Sequence, residues 1–499
     1  MSGPVVDGGL RVGSGSGRWV LLASIMGSGI AGIDATVVNI ALPAIGADLG
    51  TGFAALQWTI TAYTLTLASL ILLGGSLGDR FGRRRVFLIG VVWFAVASLL
   101  CGLAPGPEAL VAARALQGVG GALLTPGSLA MIQASFHPDD RARAIGVWSG
   151  FGGVATAIGP FLGGWLLESV GWRWIFLINV PLAVAVVVLA VRHVPETRDP
   201  HAAKGIDVLG AGLSILALAG LTYAIIAVPE NGAGGLVLPA TAIGLCALAA
   251  FVVVERRLPH PMVPPAVFRN RTFTAANVVT FLVYGAFGGA FFLLAVQLQV
   301  VSGFSPLAAG TAMLPVTVLM LALSARFGQL ATRIGPRLPM TAGTSLCTVA
   351  VLLMLRIGPG AHYLTEVLPA VAVLGLGLSL LVAPLTATVL GAAPAEQAGV
   401  ASGINNAVAR AAGLVAVAAF PVLGGLGGQS YDDPVAFDRG FGIALSIAAG
   451  LLVVGAVVSA TAMPGRPAPS AVADPDAPAE RVCCPVQGPA LVESRTASP

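Results

Sequence analysis

The chain has 499 residues, of which 56% are hydrophobic and only 10% are charged, and its mean hydropathy is +0.91. A typical soluble domain carries about 25% charged residues, so this composition excludes a protein that folds in water. The formal net charge is +4, and the basic residues lie between long apolar runs, which indicates membrane topology and not nucleic-acid binding.

Apolar runs recur along nearly the whole chain, each about the 20 residues that a helix needs to cross ~30 Å of hydrocarbon. The fourteen predicted spans are 18–41, 56–74, 86–104, 108–131, 143–167, 174–191, 206–228, 236–254, 272–296, 306–325, 338–356, 365–390, 399–421 and 440–463. We therefore predict an all-α integral membrane protein. Residues 1–17 are rich in Gly and Ser and residues 464–499 in Pro and Ala, and both are predicted to be disordered and cytoplasmic.

The distribution of positive charge predicts the orientation of the protein. With a cytoplasmic N-terminus, 21 of the 26 Lys and Arg residues lie in inside segments, three lie outside and two lie within spans. The positive-inside rule then places both termini in the cytoplasm. The preference for Arg over Lys and the abundance of Ala, Gly and Val are typical of a GC-rich bacterial genome, so the predicted location is the bacterial cytoplasmic membrane.

Span one carries Asp34 in the stretch SGIAGIDATVVNIALP, and this is the one acidic residue well inside a predicted span. A carboxylate is costly in lipid and marks a functional site. Burial favours the protonated acid, whereas water or a nearby Arg favours the carboxylate, so alternating exposure would let Asp34 bind and release a proton. Arg114 in span four either pairs with the Asp34 region or snorkels to the nearer interface. The first interpretation makes Asp34 and Arg114 the proton-coupling residues.

The segment GSLGDRFGRRR between spans two and three is a predicted gating loop with six candidate residues. They are Gly75, Asp79, Arg80, Gly82, Arg83 and Arg84. Asp79 is a lone carboxylate among basic residues, flanked by glycines that let helix ends approach closely. We expect it to pair with arginines such as Arg80 or Arg141 and to hold the cytoplasmic side closed. A tight turn that carries positive-inside charge is the simpler alternative.

A second copy of this loop, GQLATRIGPR, begins at Gly328, so equivalent residues differ by 253 positions. At the same offset, GVWSG at Gly146 corresponds to GVASG at Gly399. Two matches at one offset indicate duplicated halves, and parallel repeats around a central site are a transporter architecture. The predicted domains are an N-terminal six-helix bundle over 18–191, a linker with two inserted transmembrane helices over 192–271 and a C-terminal six-helix bundle over 272–463.

Span five is dense in glycine. Small residues four apart allow close helix packing and Pro160 kinks the helix, so we predict a packing or hinge site at Gly159, Pro160, Gly163 and Gly164. Polar residues elsewhere in the spans are candidates for the wall of a substrate cavity, although each fits helix–helix hydrogen bonding equally well. They are Asn39, Gln117, Tyr284, Gln297, Gln299, Asn405, Asn406 and Arg410.

The sequence lacks the marks of ATP-driven or metal-dependent membrane proteins. Its only lysine, Lys204, follows Ala203, so a GxxxxGK phosphate-binding loop is absent. The five Cys and five His residues show no disulfide or metal-ligand spacing. We therefore predict that the protein is not an enzyme, uses no cofactor or metal and takes its energy from a proton gradient.

Five stretches together resemble the fourteen-span drug:proton antiporter branch of the major facilitator superfamily. They are IDATVVNIALP (Ile33–Pro43), GSLGDRFGRRR (Gly75–Arg85), RALQGVGGA (Arg114–Ala122), IGPFLGG (Ile158–Gly164) and WRWIFLINVP (Trp172–Pro181). The resemblance implies two six-helix bundles plus two additional central helices. It also implies proton-coupled export of hydrophobic or amphipathic small molecules, such as drugs or antibiotics, by alternating access. Asp34 and Arg114 would then be the coupling residues and the Asp79 loop a gate.

Other functions stay open at this point. Export of an endogenous amino acid, lipid or siderophore is the main alternative within transport. The span-five motif disfavours a proton-coupled importer, and the internal repeat with polar groups at depth disfavours a membrane scaffold. The expected partners are a small hydrophobic substrate, protons and lipid, with no nucleic acid, and the expected state is a monomer.

Overall fold

A computed structural model describes residues 9–198, 207–232, 234–258, 261–393, 398–426 and 433–465. Its helices are α1 Gly15–Leu49, α2 Phe53–Phe81, α3 Arg83–Gly102, α4 Pro107–Ser135, α5 Pro138–Ser169, α6 Arg173–Leu177, α7 Asn179–His193, α8 Val208–Asn231, α9 Val237–Arg257, α10 Arg271–Val296, α11 Pro306–Ala312, α12 Leu314–Ile334, α13 Arg337–Met354, α14 Leu368–Gly391, α15 Ala398–Leu423 and α16 Pro434–Ala462. Lys204 and the predicted tail from residue 466 onward lie outside the described residues.

Thirteen helical segments among these residues are long and apolar enough to cross a membrane. Helices α6 and α7 together form one of them, and α11 and α12 form another. In addition, α5 is a 32-residue helix at the position of the predicted fifth span. The prediction of an all-α, multi-pass membrane protein is therefore confirmed.

The first helix extends beyond the predicted span at both ends. The Ser14 hydroxyl accepts a hydrogen bond from the Gly17 amide at 3.1 Å, which caps the helix start. Gly50 ends the helix with a left-handed φ of +60°, a conformation that glycine adopts without steric cost. These end signals lie in polar flanks, outside the apolar run from which 18–41 was predicted.

Residues 9–14 also differ from the prediction of disorder over 1–17. The Leu10 amide donates to the Ser135 carbonyl at 2.8 Å, and the His137 amide donates to the Leu10 carbonyl at 3.0 Å. The Val12 amide donates to the Asp140 carboxylate at 3.0 Å. The segment is therefore held against the end of α4, through backbone contacts that a Gly/Ser-rich composition does not reveal.

Two groups of helices pack through equivalent contacts. Gly90 of α3 lies against α4, where an added Cβ would be 2.7 Å from the Leu124 nitrogen. Gly343 of α13 lies against α14, where an added Cβ would be 2.8 Å from the Gly377 carbonyl oxygen. Positions 90 and 343 differ by the repeat offset of 253, so each half brings two helices together through the same glycine.

The hairpin α8–α9, which the sequence predicts to be inserted, contacts both of the predicted halves. Its two helices meet through Gly220 and Gly244, since an added Cβ on Gly220 would lie 3.0 Å from Gly244. Helix α8 packs on α2 of the first half and on α15 of the second. On the α2 side, the Ser214 hydroxyl donates to the Ser69 carbonyl at 3.2 Å. The rings of Trp58 and Tyr223 also lie 6.4 Å apart.

The two halves meet closely at the end of the bundles remote from Gly15. There, Gln57 of α2 donates to the Val417 carbonyl of α15 at 3.0 Å. Gln299, which follows α10, donates to the Ile40 carbonyl of α1 at 3.1 Å. The halves therefore touch directly at this end, which we call the closed end.

Candidate functional site

The first half buries an ion pair between α1 and α4. The Arg114 Nη1 donates to the Asp34 Oδ2 at 2.6 Å. Asp34 is 0% exposed and Arg114 is 1% exposed, so neither charge touches solvent or lipid. The pairing of Arg114 with Asp34 is the arrangement expected from the sequence, and the snorkelling alternative does not describe this structure.

Two amides and a hydroxyl complete the surroundings of the carboxylate. Gln117 on α4 donates to the Asp34 Oδ1 at 2.9 Å, and Asn179 on α7 donates to the same oxygen at 3.0 Å. Both amide nitrogens also donate to the Ser98 hydroxyl of α3, at 2.6 and 3.1 Å. Each carboxylate oxygen thus accepts at least one short hydrogen bond, which is what keeps a buried charge tolerable.

Arg114 is fixed by contacts on its other sides. Its Nε donates to the Thr59 carbonyl of α2 at 2.9 Å, and its Nη1 also donates to the Gln117 side-chain oxygen at 2.6 Å. The guanidinium lies 4.3 Å from the centre of the Tyr63 ring and 5.7 Å from that of Phe176. Cation–π contacts of this kind are strongest when the charge is desolvated.

Three residues of this site were not predicted from the sequence: Ser98, Asn179 and Tyr63. Asn179 lies in the WRWIFLINVP stretch, which entered the sequence analysis only through the family resemblance. Asparagine inside an apolar span is itself a signal, since an amide in lipid requires a partner. Ser98 and Tyr63 give no such signal, because a single hydroxyl is common in membrane helices.

The predicted gating loop is shorter than expected and forms a different ion pair. Helix α2 runs to Phe81 and α3 begins at Arg83, so only Gly82, with a φ of +114°, separates them. Asp79 pairs with Arg83 at 2.8 Å, and not with Arg80 or Arg141 as expected. The Arg141 Nε instead donates to the Phe136 carbonyl at 3.0 Å.

The start of α3 is held by the segment that follows α7. The Glu196 carboxylate accepts from the backbone amides of Arg84 and Arg85 at 3.1 and 3.2 Å. The Arg84 side chain donates to the Val194 carbonyl at 2.9 Å. A carboxylate at a helix N-terminus accepts the free amides and complements the helix dipole. Gly75 of the predicted gating loop is packed less tightly. An added Cβ there would lie 3.7 Å from the Pro126 Cβ, which is an ordinary contact distance.

The predicted packing or hinge residues of α5 lie against both halves. Gly159 and Gly163 face Thr36 and Val37 of α1, where any added Cβ would overlap them. Gly164 faces the second half, and an added Cβ would lie 2.6 Å from the Leu307 Cα at the start of α11.

The same contact is completed from α11. An added Cβ on Gly310 would overlap the Pro160 carbonyl oxygen. The Glu168 carboxylate at the end of α5 accepts from the Leu307 amide at 3.0 Å. These contacts join the halves at the closed end, while a hinge role for the glycines stays a prediction.

The candidate cavity residues fall into two groups. Gln117 and Gln297 are 0% exposed; Gln117 belongs to the ion-pair site, and Gln297 donates to Asp438 at 2.6 Å within the second half. Both therefore occupy packed positions in this conformation, and their contact with substrate stays a prediction.

The remaining candidates lie on less enclosed surfaces. Asn39 is half-buried on α1. Asn405 on α15 donates to Thr280 of α10 at 2.7 Å, and Asn406 is exposed. Tyr284 on α10 is 40% exposed, and α10 packs on α15, the helix that carries Arg410.

A group of three or more potential metal ligands does not occur among the described residues. The chemistry that the Asp34–Arg114 arrangement offers is that of a proton and an ion pair. A helical membrane protein with two halves joined at one end and a desolvated carboxylate–guanidinium pair between its helices has the form of a secondary transporter.

Sequence comparison agrees with this class. The family model described as Major Facilitator Superfamily matches residues 25–417, and the chain belongs to this family. It is 37% identical to the tetracenomycin C resistance and export protein of Streptomyces glaucescens, over 81% of this chain and 75% of that protein. It is 34% identical to the puromycin resistance protein pur8 of Streptomyces alboniger, over 88% of this chain and 90% of that one. The structure of a POT peptide transporter in complex with sulfate has a TM-score of 0.63 at 16% identity, covering 91% of this chain and 98% of that one.

Proposed function

We propose that the protein exports hydrophobic or amphipathic small molecules across a bacterial cytoplasmic membrane in exchange for protons, by alternating access. The observation that carries the proposal is the Asp34–Arg114 pair, which places one protonatable acid, free of solvent, between helices of the first half. The relatives named for resistance to tetracenomycin C and puromycin support export of antibiotic-like compounds.

Proton binding at Asp34 would force a rearrangement. A protonated Asp34 no longer balances Arg114, and an unpaired buried charge costs several kcal/mol. The guanidinium would then need water or another anion, so proton binding and helix movement become linked. Because Tyr63 and Thr59 of α2 hold Arg114, a shift of the guanidinium would act directly on α2, which packs on α15 of the second half.

We infer the state of the transport cycle from the contacts that join the halves at the closed end. With both termini in the cytoplasm, as the positive-inside rule predicts, the α5–α11 contact lies on the outer side. The structure would then correspond to a state closed to the outside. We further propose that the Asp79 loop acts as the cytoplasmic gate and that the transporter works as a monomer.

The proposal is tested with a panel of chemically diverse growth inhibitors in a bacterial host that lacks its own efflux pumps. Cells that express the wild type should tolerate higher concentrations of at least one compound class than cells with an empty vector. In inside-out vesicles, the same compounds should be taken up when a proton gradient is imposed. An ionophore that collapses the gradient should stop this uptake.

Two variants make the test specific. Asp34→Asn removes the protonatable group, so it should abolish gradient-driven accumulation. Asp433→Asn is the matched control, because this exposed residue caps α16 through its side-chain oxygen and asparagine caps equally well. Accumulation by Asp34→Asn at the wild-type level would refute coupling through this residue.

A further inference from the structure

The second half carries a guanidinium, that of Arg410, for which the described residues provide no counterion. Arg410 lies near the middle of the 26-residue helix α15. Its Nε is buried and has no hydrogen-bond partner, and it forms no ion pair within the described part of the chain. An arginine at this depth normally faces an anion, a carbonyl group or water.

The charges at depth do not balance without an added anion. Three charged residues lie well inside the apolar spans, and two of them, Asp34 and Arg114, neutralise each other through a direct hydrogen bond. Arg410 therefore adds one uncompensated positive charge to the interior. A charge at this depth is costly unless a partner is bound during part of the cycle.

Two helices packed against α15 each carry one tyrosine. Helix α15, which carries Arg410, packs on α2 of the first half and on α10 of the second, and Tyr63 lies on α2 and Tyr284 on α10. The Tyr63 hydroxyl is buried, in a residue only 2% exposed, and has no hydrogen-bond partner. Tyr284 is 40% exposed. Two phenol hydroxyls and a guanidinium can together donate to one carboxylate, and arginine binds this group in a bidentate manner.

We propose that Arg410, with Tyr63 and Tyr284, binds an anionic group of the exported molecule, a carboxylate or an equivalent oxyanion on a hydrophobic body. This inference rests on the proposed export function and adds the class of substrate to it. The Tyr63 ring lies over Arg114 at 4.3 Å, so the anion site and the proton site share one side chain. An anion bound at Arg410 would thus be positioned to affect the Asp34–Arg114 pair.

The test compares two dyes with the same xanthene ring system and opposite charge. Fluorescein carries a carboxylate, and rhodamine 6G is a cation. Binding to the purified full-length protein in detergent is measured by fluorescence anisotropy, and uptake is measured in energised inside-out vesicles. The variants are Arg410→Gln and Arg410→Lys, and the control is Arg439→Gln, which removes an exposed arginine of the second half.

The wild type should bind and transport fluorescein in preference to rhodamine 6G. Arg410→Gln should weaken fluorescein binding by about tenfold or more, equivalent to about 1.4 kcal/mol, without weakening the binding of rhodamine 6G. Arg410→Lys should keep part of the affinity, because the charge remains while the planar fork is lost. Arg439→Gln should match the wild type with both dyes.

Other outcomes overturn the inference. Equal loss of both dyes in Arg410→Gln would indicate a structural role, and unchanged fluorescein binding or wild-type preference for the cation would exclude an anion site. Binding of neither dye by the wild type would also count against it. The two proposals fail separately: fluorescein binding that depends on Arg410 without any transport would refute export alone, whereas rhodamine transport without fluorescein binding would refute the anion site alone.

Discussion

Removing the charge of Asp34 should destabilise the protein more than removing that of its partner. In Asp34→Asn, Arg114 keeps a full charge at 1% exposure, and a guanidinium does not release its proton in a protein. In Arg114→Gln, Asp34 can become neutral by binding a proton. Gln117 and Asn179 also still donate to its Oδ1, so the acid is left with partners.

The structure gives the expected size of each effect. Breaking a buried ion pair from one side costs about 3–5 kcal/mol, and we expect Asp34→Asn to lie in this range. Arg114→Gln loses hydrogen bonds to Asp34, Thr59 and Gln117 but leaves an acid that can neutralise itself, so we expect about 2–3 kcal/mol. The double variant holds no buried charge, and its loss should be at least about 2 kcal/mol smaller than the sum of the two.

The free energy of unfolding is measured by titrating detergent-solubilised protein with sodium dodecyl sulfate and following tryptophan fluorescence. Asp79→Asn is the matched control, because it makes the same chemical change in a pair where the carboxylate is 40% exposed. Such a pair contributes about 1 kcal/mol or less. The reasoning is refuted if Asp34→Asn costs no more than this control, or if the single losses simply add in the double variant.

Three further predictions concern the helix contacts. Gly310→Leu should force α11 away from α5, since even a Cβ would overlap the Pro160 carbonyl oxygen. Distances between spin labels placed across the closed end should therefore lengthen. The control Gly442→Leu should leave these distances unchanged, because an added Cβ at Gly442 has nothing within 4 Å. Glu196→Ala should lower the free energy of unfolding by about 1 kcal/mol through loss of the α3 cap, with transport retained; a loss of transport instead would show a role beyond capping. Asp79→Asn should slow transport and shift the balance of open and closed states if the loop is a gate, and unchanged rates with unchanged populations would contradict that role.

The pairing of Asp34 with Arg114 could be expected from the sequence because isolated charges in apolar helices have few possible partners. Each is the only deep charge of its span, so the physical cost of burial almost dictates the contact. The apolar runs likewise predict spans, since a helix that crosses a bilayer must keep its backbone hydrogen bonds within itself.

The sequence does not predict a contact in the same way when a residue has several equivalent partners available. Asp79 had several arginines within reach, and the structure pairs it with Arg83 because the helical geometry on both sides of Gly82 brings these residues together. The position of Gln297 depends on the distant Asp438, which no local pattern indicates. Such contacts are decided by the packing of whole helices and not by the residues themselves.

The α8–α9 hairpin makes the two sides of the molecule unequal. Its described polar and aromatic contacts with the bundles, those of Ser214 and Tyr223, are both with α2, whereas α8 meets α15 without a side-chain hydrogen bond among the described residues. When the halves rock, α8 should therefore travel with the first half and slide along α15. A hydrophobic molecule that approaches from the lipid on this side would meet the hairpin as a wall between α2 and α15.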